Sequence, residues 1–218
     1  LYQERHTDDA IPIEVALSGS MLVQRPQLTW KYLSEIEQAC RGARPNAAHT
    51  LMAALERHIP HVCVLTQNVD GLHRAAGSRN LIEMHGNIHH LYCEDCAASR
   101  WVADYSAIQQ FPPPCTNCGG YLRPQVVLFG EALPQLELEH YYRELNSGFD
   151  AVFSVGTTSV FPYIAGPVVW AAEEGTPTVE INPGDTQVSS LVTVHVRSGA
   201  AAAMQALMQE LGWSGGAE

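Results

Sequence analysis

Lysine is nearly missing from this chain: Lys31 stands alone beside eleven arginines, against 23 acidic residues and a formal charge of −11. Such a balance repels a phosphate backbone and argues against a general nucleic-acid partner. Also lacking is any run of 18 apolar residues, so no membrane span is expected. The first residues carry no basic, apolar leader, so no secretory signal is expected either. A cytoplasmic chain with no membrane partner is the reading these absences support. There is no internal repeat and no low-complexity segment. Disulfides are not called for, because four of the six cysteines fall into two CxxC pairs, an arrangement that in an intracellular chain points to metal. Cys40 and Cys63 stand apart from these, with no base or partner in sequence, and read as small apolar side chains.

What is present is enough to bury a core. At 218 residues and 46% apolar, one large domain with a small one attached is the natural expectation. Residues 1–27 show no clear period. Leu28, Tyr32, Leu33, Ile36 and Ala39 follow a helical spacing, and Pro45-Asn46 punctuates before a second amphipathic helix over 47–57, with Asn46 as its N-cap. His61 to Leu65 reads as a buried parallel strand. After His85 a turn-rich segment carries the CxxC pairs. Beyond residue 135 the pattern alternates again: strands over 151–155, 177–181 and 192–196, with helices over 163–174 and 200–211. This is the order of an α/β chain built on a doubly wound parallel sheet.

The polar residues after the first strand fall where open α/β sheets bind their ligands. Gln67, Asn68, Asp70 and His73 place four hydrogen-bonding or titratable side chains within seven positions, and Gly71 lets the backbone turn among them. Either a polar ligand site or a solvated loop would look like this. Cys93-Glu-Asp-Cys96 and Cys115-Thr-Asn-Cys118, eighteen residues apart, can set four thiolates around Zn2+ with no position left open, so that metal would be structural. It would also stabilise a small segment poor in apolar residues. Val155-Gly156-Thr157-Thr158-Ser159 leads from a strand into a helix, where backbone N–H groups can cradle phosphate, although a plain turn has the same look. Asn182 ends a strand, either to hold a hydroxyl or to begin a turn. His85 can serve as a base near neutral pH, or be structural. Arg123 to Glu131 is either an exposed strand edge able to accept an extended peptide or an internal strand.

Taken together and in order, Gln67-Asn68-Val69-Asp70, His85-Gly86-Asn87, the two CxxC pairs, Arg123-Pro124 through Phe129-Gly130-Glu131, Gly156-Thr157-Thr158 and Ile181-Asn182 resemble the sirtuins, NAD-dependent protein lysine deacylases. The arginine bias suits a GC-rich, bacterial genome. The resemblance implies a Rossmann-like NAD-binding domain over 1–85 and 129–218 with an inserted zinc ribbon over 86–128. NAD and an acyl-lysine protein or peptide would meet in a cleft between them. It implies that Asn68 and Asp70 line a nicotinamide pocket with Gln67 near the ribose. Gly156, Thr157, Thr158, Asn182, Gly199 and Ala200 would hold phosphate and adenosine ribose. His85 would be the general base that deprotonates a ribose hydroxyl after the acyl oxygen displaces nicotinamide. Val127, Leu128, Phe129 and Gly130 would pair with the substrate backbone, and Cys93, Cys96, Cys115 and Cys118 would hold one structural Zn2+.

Two departures from the family pattern stand out. Sirtuins carry a Gly-rich loop before the first helix, and Leu1-Tyr2 looks like the tail of the triplet that follows it, so the first strand and cofactor loop are expected to be absent from this chain. Members that act on acidic acyl groups carry Tyr-x-x-Arg, whereas the nearest alignment here is Tyr32-Leu-Ser-Glu35, which makes Tyr32 the implied substrate-binding residue on that side. A glutamate there favours acetyl or another uncharged acyl group. The alternatives are a protein ADP-ribosyl transferase on the same scaffold and a catalytically impaired zinc-ribbon interaction protein.

Overall fold

A computed structural model describes residues 10–213; Leu1-Tyr2 lie outside the described residues. The chain packs as two compact units, the first taking in 1–43, 66–71 and 83–138, the second 44–65, 72–82 and 139–218. The expected insert at 86–128 lies wholly inside the first unit, together with the helical residues ahead of 43 and the turn at 66–71.

The first unit opens with two short helices, α1 (Ile13–Ala16) and α2 (Gly19–Gln24), where no period was visible in the sequence. One turn each is too short to show a period; what marks α2 is the Ser18 side chain accepting from the Met21 amide. Helix α3 (Pro26–Cys40) begins with proline at its first turn, where the missing N–H is not needed. Its Trp30 is fully buried and stacks on Phe111 at 5.1 Å between ring centres, with Tyr105 at 5.6 Å. These rings join Leu28, Leu33, Ile88, Leu91, Leu122 and Val126 in one core. The apolar shortage expected of the zinc-binding segment is therefore met by residues from 16–33, which pack against it.

In the second unit α4 (Ala47–His58) starts on Asn46, whose side chain accepts from Ala48 and His49 while His49 returns the bond to the Asn46 amide. Sequence alone had placed that cap. Strand β1 (Val64–Thr66) begins later than expected, and α5 (Leu72–Ala75) leads to β2 (Leu81–Glu83), its neighbour in a two-stranded sheet. Back in the first unit, β3 (Gly86–Cys93) lies between β4 (Ser99–Trp101) and β5 (Leu122–Val126), antiparallel to both. Helix α6 (Gln135–Ser147) follows. The second unit closes with β6 (Val152–Val155), α7 (Pro162–Glu173), β7 (Thr178–Ile181), β8 (Val194–Val196) and α8 (Ala200–Glu210). Strands β6, β7 and β8 run parallel in that order, as the alternating pattern required. Ile181 packs with Ala48, Leu51, Met204 and Met208, so α4 and α8 share the core of this sheet. Among the described residues no helix is long and apolar enough to cross a membrane.

Candidate functional site

The turn that leaves β1 is held by the main chain beneath it. The Met84 amide donates to the Thr66 carbonyl (3.0 Å) and the Ile88 amide to the Val69 carbonyl (2.9 Å), so residues 66–69 run over 84–88. Gly71 adopts a φ of +73°, and a Cβ there would come within 3.0 Å of Asn87 Nδ2. That Nδ2 donates to Glu83 Oε1, while Asn87 Oδ1 accepts from the His89 amide. The glycine is needed because a buried asparagine fills the space.

A cavity of about 190 Å3 lies in this unit. Its lining combines polar side chains, Gln67, Asn68, Asp70 and His85, with apolar ones, among them Leu17, Leu33, Ile36, Val126, Leu128 and Phe129. Such a volume suits one ring or a side-chain tip and is below the usual range for a whole drug-sized ligand. His85 is held at both ends: its carbonyl accepts from the Val127 amide at 3.0 Å, and its ring bonds the Gln67 main chain. Burial pushes the ring's pKa below the ordinary histidine value and outweighs the Gln67 bond, which works the other way. A neutral imidazole, held in place and facing a cavity, can take a proton.

Seven wall residues were not singled out as site residues in the sequence: Leu17, Leu33, Ile36, Cys40, Val69, Ile88 and Val126. Leu33, Ile36 and Cys40 were open to detection, since spacings of three and four put them on one helical face. Cys40 is half-buried there, its thiol pushed up by burial and by nearby Asp70 and Glu37. Tyr32 is buried in the core of the first unit rather than among the cavity walls named, and Glu35 is exposed.

Residues 127–130 follow β5, which among the described residues pairs with no named strand but β3 and so lies at a sheet edge. Three of their N–H groups are already engaged: Val127 with the His85 carbonyl, Leu128 with Glu131 Oε2, and Phe129 with the Leu17 carbonyl. The Phe129 carbonyl in turn accepts from Gly19. Arg123 anchors this turn, its NH1 and NH2 groups reaching the two Glu131 oxygens at 2.6 and 2.9 Å and its NH2 group also reaching the Val126 carbonyl.

In the same unit Cys93 and Cys118 bring their sulfurs to 3.6 Å, and Cys96 and Cys115 to 3.7 Å. Four thiolates at about 2.3 Å from a tetrahedral Zn2+ would stand about 3.8 Å apart, which these two edges match, and all four sulfurs lie within 4.8 Å of one another. Bonds from the Asn117 side chain and the Ala98 main chain pull the Cys96 thiol down to about 6, and the Gly120 amide points at Cys118 Sγ. A Cβ at Gly120 would meet Asp95 Oδ2 at 2.2 Å, the tip of an exposed side chain that can swing aside.

The second unit gathers the other predicted residues at the carboxyl ends of its parallel strands. Asn182 Nδ2 donates to the Thr157 carbonyl at 3.0 Å, and the Gly156 amide donates to the Ile181 carbonyl. Gly156 has a φ of +63°, and a Cβ there would lie 3.9 Å from Ala200 Cβ. The Thr158 carbonyl accepts from the Gln187 amide. Gly199 caps α8 without a side-chain bond, leaving that helix N-terminus without the side-chain acceptor that commonly spends its amides. Small residues beside a helix N-terminus at strand ends fit the phosphate and ribose end of a dinucleotide. The loop after Asn182 is tied back to β7 by fully buried Glu180, which accepts from Thr186 and Ser189.

A model of the Sir2 family matches residues 1–162. The chain is 51% identical over 196 residues to NAD-dependent protein deacylase 2 of Pseudomonas aeruginosa, covering 89% of this chain and 76% of that protein. A Sir2 homologue solved in complex with NAD is similar with a TM-score of 0.86 and 31% identity, over 97% of this chain and 82% of that one. A Sir2 solved with a p53 peptide and NAD+ is similar with a TM-score of 0.83 and 27% identity, over 97% and 86%.

Proposed function

This chain belongs to the Sir2 family, and on that premise we propose that it removes acyl groups from protein lysines at the expense of NAD. NAD supplies the ADP-ribosyl group that receives the acyl group, with nicotinamide released. The observation that carries the reading is the cavity lined by both polar and apolar side chains, to which a held His85 with a lowered pKa contributes. Acylation neutralises a lysine, so its tip can enter an apolar space that would exclude the cation. Gln67, Asn68 and Asp70 offer donors and acceptors to a carboxamide. His85 accepts a proton from a hydroxyl brought to it. Gly156, Thr157, Thr158, Asn182, Gly199 and Ala200 hold phosphate and ribose.

Because Val127, Leu128 and Phe129 have committed their N–H groups, a substrate strand along 127–130 would use main-chain acceptors such as the Val127 carbonyl and the turn at Gly130. Tyr32, next to Leu33 in the chain and buried in the same core, supports the lining rather than touching the acyl group, and an acetyl or other uncharged group is the preferred load. The four cysteines hold a closed, structural Zn2+ within a ribbon over 86–128, and 1–85 with 129–218 form the NAD-binding part. The setting is the cytoplasm.

Mass spectrometry of an acetyl-lysine peptide incubated with NAD and the protein tests the reading. Deacetylated peptide, nicotinamide and O-acetyl-ADP-ribose in equal amounts are expected. Nicotinamide release with ADP-ribosylated protein and intact acetyl-lysine would instead make it a transferase of ADP-ribose.

A further inference from the structure

In sequence Cys63 is a solitary apolar side chain; in the structure it has close polar neighbours. In the second unit its Sγ, a ring nitrogen of His140 and a carboxylate oxygen of Glu144 all lie within 4.8 Å of one another. His140 and Glu144 are four apart on α6 and so share a helix face. His140 Nε2 stands 3.4 Å from Glu144 Oε1, which is about the nitrogen–oxygen edge of a tetrahedral Zn2+ shell with ligands at 2.0–2.1 Å. His61 Nε2 bonds the other carboxylate oxygen at 2.6 Å, and its ring stacks on Phe149. Asn80 Oδ1 accepts from His140 Nε2 at 2.9 Å, and Asn80 Nδ2 donates to the Val62 carbonyl.

We propose that Cys63, His140 and Glu144 form a second metal site, for Zn2+ or a similar borderline dication, with His61 orienting the carboxylate. A thiol, an imidazole and a carboxylate together select such ions over Mg2+ and Ca2+, which prefer all-oxygen shells. A histidine bonded to the outer oxygen of a ligating carboxylate is a usual supporting contact. With three protein ligands, the fourth position belongs to water or to His61 after a ring rotation. Binding releases the Cys63 thiol proton to solvent and moves the His140 proton from Nε2, where Asn80 Oδ1 accepts it, to Nδ1, so that Nε2 presents its lone pair to the metal. The remaining distances close by about an ångström, which side-chain torsions supply.

Without the ion the cluster is costly. Burial first and Glu144 next push the Cys63 thiol up to about 12, so a half-buried sulfur sits beside a carboxylate that repels its charged form. A dication between them reverses that repulsion. The bound ion would tie the chain just ahead of β1 to α6, and it is separate from the four-cysteine site, which uses no residue of this one.

Titration with Co2+ of protein carrying one zinc per chain, in the four-cysteine site alone, followed by absorption and with released zinc measured in parallel, tests this. One additional Co2+ per chain is expected, with a thiolate-to-cobalt charge-transfer band and no loss of zinc. C63S should abolish the band. H140Q and E144Q should weaken cobalt binding beyond the loss from H61A, itself about 10- to 100-fold. Circular dichroism identifies which variants keep the fold, and E144Q alone suffices if C63S does not. The absence of zinc-independent cobalt uptake, or a band that survives in folded C63S or with unchanged affinity in folded E144Q, overturns the assignment.

Discussion

Replacing Arg123 by methionine should destabilise the protein by about 3 kcal/mol, and the geometry gives the reasons. The guanidinium is 8% exposed and makes two bonds to Glu131 and one to the Val126 carbonyl; its bond to Glu94 reaches a side chain that is 59% exposed. Removing one member of a buried ion pair costs about 3–5 kcal/mol. Glu131 is 26% exposed and can recover some hydration, which argues for the lower end; the exposed Glu94 contact adds only about 0.5 kcal/mol. Methionine retains much of the packing, so charge and hydrogen bonds dominate the loss. Urea unfolding of R123M, E131Q and the double variant R123M/E131Q measures it. The two charged residues should couple by about 2 kcal/mol, and KM for an acyl-lysine peptide should rise in R123M because the turn carrying Val127–Phe129 loses its anchor. Burial tends to raise the Glu131 pKa, but the Arg123 bonds and the Leu128 amide hold it below the ordinary value. The stability it contributes is therefore present above the unfolded glutamate pKa of about 4.3 and is lost as pH falls through the lower folded value. A cost below about 1 kcal/mol, or additive single variants, would refute the reasoning.

Gly86→Ala should cost on the order of 3–5 kcal/mol, because φ is +77° and the new Cβ would stand 1.9 Å from the Gln125 carbonyl oxygen; a melting temperature within a few degrees of wild type would contradict this. The acid limb of log(kcat/KM) against pH should inflect below 6.5, since burial favours neutral His85, and an inflection above that value would remove His85 as the base. Cys115→Ser should lower bound zinc in the four-cysteine site and loosen β3–β5, seen as lost zinc by elemental analysis and faster amide exchange over 86–126; full zinc retention would count against the four-cysteine shell. Trp30→Ala should cost about 3–5 kcal/mol by opening the stack with Phe111 and Tyr105, and a near-neutral urea midpoint would show that the core collapses around the gap.

Much of this protein follows from short-range signals. The spacing of Cys93, Cys96, Cys115 and Cys118 is complete within 26 residues and needs only two glycine turns to become a metal shell. Asn46 caps α4 because its side chain reaches amides two and three residues away. The parallel strands β6 and β7, with α7 between them, follow from apolar runs separated by a helix, and the polar residues after each strand fall at a ligand-binding end as a matter of topology. The ordered set of motifs sufficed to identify the family.

Tertiary structure decided what lies opposite what. The face of α3 bearing Leu33, Ile36 and Cys40 was visible as periodicity, but its role as one wall of the His85 cavity depends on residues 67–70, 85 and 126–129 arriving from elsewhere in the chain. The Phe129 amide could not be known to be engaged until Leu17 lay beside it. Helices of four and six residues left no period to read. Cys63 looked solitary because its partners are 77 and 81 positions away, on α6. Local patterns record how a segment buries one face, whereas the identity of the group that meets that face is set by long-range packing, which periodicity alone does not encode.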